Sequence, residues 1–306
     1  MLSLTILANP GRERDTALTD REIIEAWLAS KNPSTARVYG PVVADFQRAM
    51  GKPLADVTPA DARHWLNQWN EQEPATQARK IRTLRSLYRF GQAMADWPIN
   101  PFYTLRDPKI PERLKERIPT PEQVWALMTA AHAAGPRLGT IVTLIFGTGC
   151  RISEVTAAAW GDIERTPDGQ WVWHIANRRP TARLPLRAEV VAALGAWRVA
   201  QGLSPLWAAD DETLLFPTAD GNPSHPSALT TAIRRLAAKA GLKHAIPPQW
   251  IRHAHAGIAL EHGAGVELVQ KSLGHRRRTS TERYLAAVNR PATSADMLPW
   301  GPPLSS

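Results

Sequence analysis

The chain has 306 residues, 43% hydrophobic and 21% charged, an ordinary globular composition with enough length for two domains and buried cores. Its formal net charge is +9, a field that favours polyanions and makes nucleic acid the leading partner class. A single cysteine, Cys150, excludes an intramolecular disulfide framework, and no apolar run reaches the 18 residues that a membrane-spanning helix needs.

The N-terminus, MLSLTILANPGRERD, has no basic stretch before its short apolar run, so no signal peptide is expected, and a reducing, cytoplasmic location is. Residues 1–18 read as a flexible arm. TDREIIEAWLAS opens on a capping threonine or aspartate and sets Ile23, Ile24, Trp27 and Leu28 on one helical face. In NPSTARVYGPVVADFQRAM, Val38, Val42, Val43 and Phe46 recur at helical spacing, and Pro41 is a point where that helix bends or divides. TPADARHWLNQW has a threonine cap followed by proline in the first turn. The longest helical pattern is EPATQARKIRTLRSLYRFGQAMADW, with Ile81, Leu84, Leu87 and Tyr88 on its apolar face. Arg79, Lys80, Arg82, Arg85 and Arg89 are its candidate DNA-contacting residues; the competing reading is a solvated helix face. Residues 19–98 are thus expected to form a four-helix N-terminal bundle.

Six prolines and many charges fill WPINPFYTLRDPKIPERLKERIPTPEQ, which marks a linker over 99–118. Beyond it, 119–290 reads as a second domain. TPEQVWALMTAA and PRLGTIVTLIFGTG are apolar helices; TPDG and WVWHI then signal a small three-stranded antiparallel sheet over about 162–186. Helices are expected again at about 187–201, 227–240, 250–262, 266–273 and 280–288, and 291–306 is a proline-rich tail. The fold class is mainly α, a helical bundle followed by a mostly helical domain with one small sheet.

Three stretches of the second domain carry chemistry when taken together. GTGCRISEV presents Arg151 after a glycine-containing bend, with Glu154 three residues on. QWIRHAHAG presents Arg252, and LGHRRRTSTERYL presents His275 and Tyr284. Guanidinium groups hold phosphate oxygens with planar, permanently charged forks, and preorganised donors of this kind stabilise charge that develops on a phosphoryl group. A tyrosine hydroxyl can attack phosphorus and keep the bond energy of the cleaved ester in a covalent intermediate. Taken alone, Tyr284 would be a packed helix residue and His275 part of a helix cap after Gly274.

In these stretches the sequence resembles the tyrosine recombinases, or phage-type integrases, over about residues 19–288. TGCRISE is similar to the box that holds the family's first catalytic arginine, here Arg151, with Glu154 at a supporting acidic position. IRHAHAG is similar to the second box and implies a catalytic Arg252 with a supporting His253. LGH implies a catalytic His275, and TSTERYL implies a nucleophilic Tyr284. The resemblance implies a core-binding domain over 19–98 and a catalytic domain over 119–290, which together clamp double-stranded DNA. It implies cleavage through a 3′-phosphotyrosine, no metal or nucleotide cofactor, and no membrane. Self-association is implied as well, a dimer on one site and a tetramer in synapsis, for a cytoplasmic, nucleoid-associated protein. Arg276, Arg277 and Arg278 are further candidates for DNA contact.

The sequence departs from the family's pattern at two places. The hairpin that carries a catalytic lysine in the family reads ANRRPTARLPL here, with Arg178 or Arg179 at that place, and no lysine occurs between Lys115 and Lys239. An arginine stabilises charge but is a poor proton donor. Gln249 stands where the second box opens on histidine. Two alternatives stand beside a recombinase, and the missing lysine supports the first. One is a catalytically weak or inert DNA-binding protein of the same fold; the other is a type IB topoisomerase-like or telomere-resolving enzyme.

Overall fold

The computed structural model describes residues 18–176, 178 and 181–288. Most of the expected arm, Arg179 and the tail 291–306 lie outside the described residues. The contacts divide the chain into two compact units between Glu112 and Arg113.

The first unit holds four helices: α1 (Asp20–Ala29), α2 (Pro33–Met50), α3 (Pro59–Asn67) and α4 (Pro74–Met94). Capping boxes start α1 and α3, where Thr19 pairs with Glu22 and Thr58 with Asp61, so backbone donors that would be orphaned are satisfied. Pro41 lies inside α2 without ending it. The lost backbone bond is outweighed by packing, because Val42, Val43 and Phe46 just beyond it are all buried. The core stacks rings edge-on around Phe46, with Trp65 at 5.1 Å and Phe102 at 5.4 Å between centroids. Phe102 and Leu105 fall in the stretch expected to be linker, yet they pack against this core. Asp107 follows them back to α4 and pairs with Arg82 and Arg85.

The second unit begins with α5 (Pro121–Ala133), α6 (Pro136–Thr148) and the short α7 (Ile152–Ala157). Strands β1 (Ile163–Arg165), β2 (Trp171–Ile175) and β3 (Ala182–Leu186) form the antiparallel sheet in that order. Its register sets Ile163 opposite Trp173 and Trp173 opposite Leu184, a row of three buried side chains facing the core. Then come α8 (Ala188–Ala200), α9 (Pro226–Lys239), α10 (Pro248–Glu261), α11 (Val266–Leu273) and α12 (Thr279–Glu282). The last helix is shorter than the expected 280–288. After Glu282 the backbone continues in turns whose bonds span three residues, Tyr284 to Thr281 and Leu285 to Glu282, and Tyr284 sits in that tighter coil. Among the described residues, no helix is long and apolar enough to cross a membrane.

Candidate active site

Four segments of the second unit bring the polar site residues together. The first is the bend between α6 and α7. Gly149 ends α6 in the left-handed region at φ 64°, which lets the chain turn and start α7 at Arg151. A Cβ on Gly149 would lie 2.6 Å from the His255 ring, so the bend also needs the missing side chain for close packing. The second segment is α10, which carries Gln249, Arg252 and His253 on its first turns. The third is the end of α11, where Gly274, again left-handed at φ 61°, turns the chain into His275. The fourth is the coil after α12, with Tyr284.

Their side chains line one cleft of about 400 Å³: Arg151, Gln249, Arg252, His253, His275 and Tyr284. Arg252 is buried, and its guanidinium donates to the carbonyl of Gly149 and to that of Leu273, each at 2.6 Å. Burial lowers it to about 10, with Arg151 adding to the effect, so it remains charged at neutral pH. Tyr284 is 3% exposed, and its hydroxyl lies 2.6 Å from Nδ1 of His253. Burial raises the phenol above its ordinary value despite Arg252 and Arg283, so it rests protonated. The His275 Nδ1 meets the Thr281 hydroxyl at 2.9 Å, and its ring stacks beside Tyr284. Sequence reading gives Thr281 no role. Its place one turn before the tyrosine was the available signal.

Burial, then Arg252, Arg117 and Arg283, push His253 down to about 4. Burial, then Arg252, Arg151 and Arg178, do the same to His275. Both rings are therefore neutral at pH 7. The cleft holds fixed positive charge from the arginines and two neutral imidazoles, the arrangement an approaching phosphate would meet.

Glu154 is the hinge of the arginine set. It takes a bond from Arg151 Nη1 at 2.8 Å and two from Arg178, at 2.9 Å through Nε and 2.8 Å through Nη2. Burial pushes this carboxyl up, but the bonds from Arg178 and Arg151 outweigh it and the net shift is down. Arg178 also gives Nη1 to the Ser272 carbonyl at 2.6 Å, so every nitrogen of its guanidinium is engaged by protein acceptors. Its side chain is 3% exposed, against 43% for Arg151. Arg178 thus fastens the hairpin to α7 and α11, while Arg151 keeps an open side. A second cleft of about 680 Å³ lies on that side, lined by Arg151, Arg178, His275, Arg276 and Arg277. Arg278 points elsewhere, into ion pairs with Glu267 and Glu282.

In the first unit the basic residues of α4 separate into two sets. Arg79, Arg82 and Arg89 are exposed. Lys80 is buried over the Trp65 ring at 5.2 Å and 3.9 Å from Asp45, and burial lowers its ammonium. Arg85 is half-buried and holds the carbonyls of Phe102 and Leu105, which tie the following chain to α4. Helical periodicity put both among the outward residues; the difference comes from packing by segments far along the chain.

Comparison with known families settles the kinship. The model of the phage integrase family matches residues 118–290, more than half of the chain. The chain belongs to that family, the tyrosine recombinases. One relative is the tyrosine recombinase XerC of Myxococcus xanthus, 27% identical over 263 residues, or 83% of this chain and 87% of the relative. Among solved structures, the XerH site-specific recombinase bound to its difH substrate in a pre-cleavage complex is similar, with a TM-score of 0.70 at 16% identity over 88% of this chain and 82% of XerH. A lambda integrase tetramer bound to a Holliday junction gives 0.67 at 17% identity, over 86% of this chain and 79% of the integrase. These likenesses show the tyrosine recombinase fold. As a phage integrase family member, the chain is a DNA strand-transferring enzyme that carries out site-specific recombination.

Proposed function

We propose that this recombinase cuts and rejoins DNA through Tyr284, with Arg151, Arg252 and His275 holding the scissile phosphate. The observation that carries the reading is the shared cleft, where one buried tyrosine hydroxyl faces two arginines and a histidine drawn from four separate segments. Attack by Oη on phosphorus forms a 3′-phosphotyrosine and releases a 5′ hydroxyl, and the reverse reaction with another strand's 5′ hydroxyl reseals the DNA. Arg252, already oriented by two carbonyls, needs no reorganisation to meet the negative charge of the transition state. Gln249 lines the same cleft and offers an amide hydrogen bond but no proton.

Two further residues act by position in this scheme. Glu154 orients Arg151, and Arg178 anchors Glu154 rather than supplying a proton in place of the family's lysine. The partners are duplex DNA bearing a specific site and further copies of this chain, two on a site and four in synapsis, in the cytoplasm on the nucleoid. Arg79, Arg82 and Arg89 from the first unit and Arg276 and Arg277 from the second contact the DNA backbone.

The test uses a nicked duplex that carries the site this chain selects from a randomised pool, so that cleavage traps the covalent product. Wild type is expected to form an adduct that survives denaturation. Tyr284→Phe should bind the same duplex and form none. Binding without any wild-type adduct would mean an inert DNA-binding protein and would overturn the reading.

A further inference from the structure

The Tyr284 hydroxyl must lose a proton to attack, and the phenol rests protonated. Three neighbours qualify by position. Gln249 has an amide, which takes no proton at neutral pH. His275 has its Nδ1 engaged with the Thr281 hydroxyl, and its ring stands beside the phenol with centroids 6.5 Å apart. His253 alone bonds to the hydroxyl, with Nδ1 2.6 Å from Oη, on a helix turn fixed by the clamped Arg252 next to it. We propose that His253 is the proton acceptor for Tyr284, a catalytic role at the reacting atom itself. This rests on the reading of Tyr284 as nucleophile and deepens it.

As Oη bonds to phosphorus, the Oη–H proton moves to Nδ1 of His253, and the P–O5′ bond breaks with its electron pair on O5′. Water protonates that oxygen. In the resealing step a 5′ hydroxyl bonds to phosphorus and gives its proton to water, while the P–Oη bond breaks and the leaving phenolate takes its proton back from Nδ1. For this, Nδ1 is unprotonated at rest and Nε2 carries the hydrogen. The groups around the ring fit that state. Arg252 from α10, Arg117 from the segment before α5, and Arg283 and His275 from the final segment all disfavour a charged imidazole before phosphate arrives. The negative charge that builds on the phosphoryl group offsets those cations when the proton moves. When resealing breaks the P–Oη bond, the same cations favour return of the proton from Nδ1 to the leaving phenolate.

His253→Asn supplies the experiment, because Asn presents an acceptor oxygen at the same reach but takes up no proton. On the nicked duplex described above, its single-turnover adduct rate at pH 7 should fall by roughly 10²–10⁴, the usual size of general-base catalysis, with duplex affinity unchanged. The rate should also climb steadily with pH from 7 to 9.5 in the variant as hydroxide replaces the ring, while wild type stays flat. An Asn variant that cleaves at the wild-type rate, with Tyr284→Phe dead, would overturn this inference alone. A wild type that forms no adduct would overturn the nucleophile reading and this inference with it. If the variant does not fold, nitrogen-15 spectra of the histidines in wild type decide the matter. His253 should show an unprotonated Nδ1 and a protonated Nε2, and a hydrogen on Nδ1 would refute the proposal.

Discussion

Glu154 serves two guanidinium groups with one carboxylate, and the two are not equivalent. Arg151 keeps its open side toward the clefts, whereas Arg178 is enclosed and receives its only charge compensation from Glu154 among the described ion pairs. Removing the charge by Glu154→Gln keeps the side chain's shape but leaves the Arg178 cation buried without a counter-charge. Loss of one partner from a buried pair costs on the order of 3–5 kcal/mol, so equilibrium urea unfolding should show a loss near the lower end, since Ser272 still accepts one bond. Arg178→Lys tests the same geometry from the other side. A lysine reaches Glu154 as a point charge and cannot reproduce the two parallel bonds. We expect that variant to lose about 1–2 kcal/mol and to cleave no faster than wild type. Faster adduct formation would mean that an ammonium there reaches the leaving oxygen, and that Arg178 occupies the family's lysine place in chemistry as well as in sequence.

At the scale of elements, the two left-handed glycines do as much for the site as the helices they end. Gly149→Ala would put a methyl into the left-handed region, at about 1–2 kcal/mol, and press it against His255, whose Nδ1 bonds to the Phe146 carbonyl. A total destabilisation of about 3 kcal/mol is expected in thermal or urea melts, with adduct formation falling further because the Gly149 carbonyl orients Arg252. A variant with wild-type stability would show that the bend relaxes freely. The elements themselves were largely legible in the sequence. Thr19 with Glu22, Thr58 before Pro59 and Thr120 before Pro121 announce helix starts, and all three form side-chain caps. Ile23, Ile24 and Trp27 share the buried face that their spacing implies. The motifs that named Arg151, Arg252, His275 and Tyr284 lie in segments that the fold brings into one cleft. What could not be read is pairing between distant segments. Asp107 lies far beyond Arg82 and Arg85, Arg178 far beyond Glu154, and Tyr284 far beyond His253, whereas periodicity reports only the faces of a single element. For the same reason Lys80 and Arg85 were expected to face outward. Propensity did not capture the early end of α12 either, where Thr281 and Tyr284 are buried by packing against other segments.

For the whole molecule, the site's electrostatics set a limit on acid stability. His253 and His275 are both held near 4 in the folded chain, by burial first and by the surrounding arginines second, and His255 is lowered by burial in the same direction. In the unfolded chain these imidazoles return to about 6.5. Between those values the unfolded chain binds protons that the folded chain refuses, so stability falls as pH drops from about 6.5 toward 4 and levels off below. The carboxylates lowered by hydrogen bonds and ion pairs, Glu154 and Asp211 among them, act in a lower window, because their stabilisation is lost only as pH falls below their ordinary values near 4. Repulsion adds to the histidine effect, since a chain already at +9 gains charge as its nine histidines protonate. Urea unfolding at pH 7 and at pH 5 should therefore differ by roughly 2 kcal/mol, less than the shifts taken at face value because solvent screens the half-buried His275 ring. Replacing both rings, as His253→Asn with His275→Asn, should flatten that dependence while leaving the loss below pH 4 in place. Equal stability of wild type at the two pH values would mean that the imidazoles are as easily protonated in the folded chain as in the unfolded one. A phosphate in the cleft reverses the sign of the local field. Added duplex should therefore protect the chain more strongly at pH 5 than at pH 7, beyond what mass action alone gives.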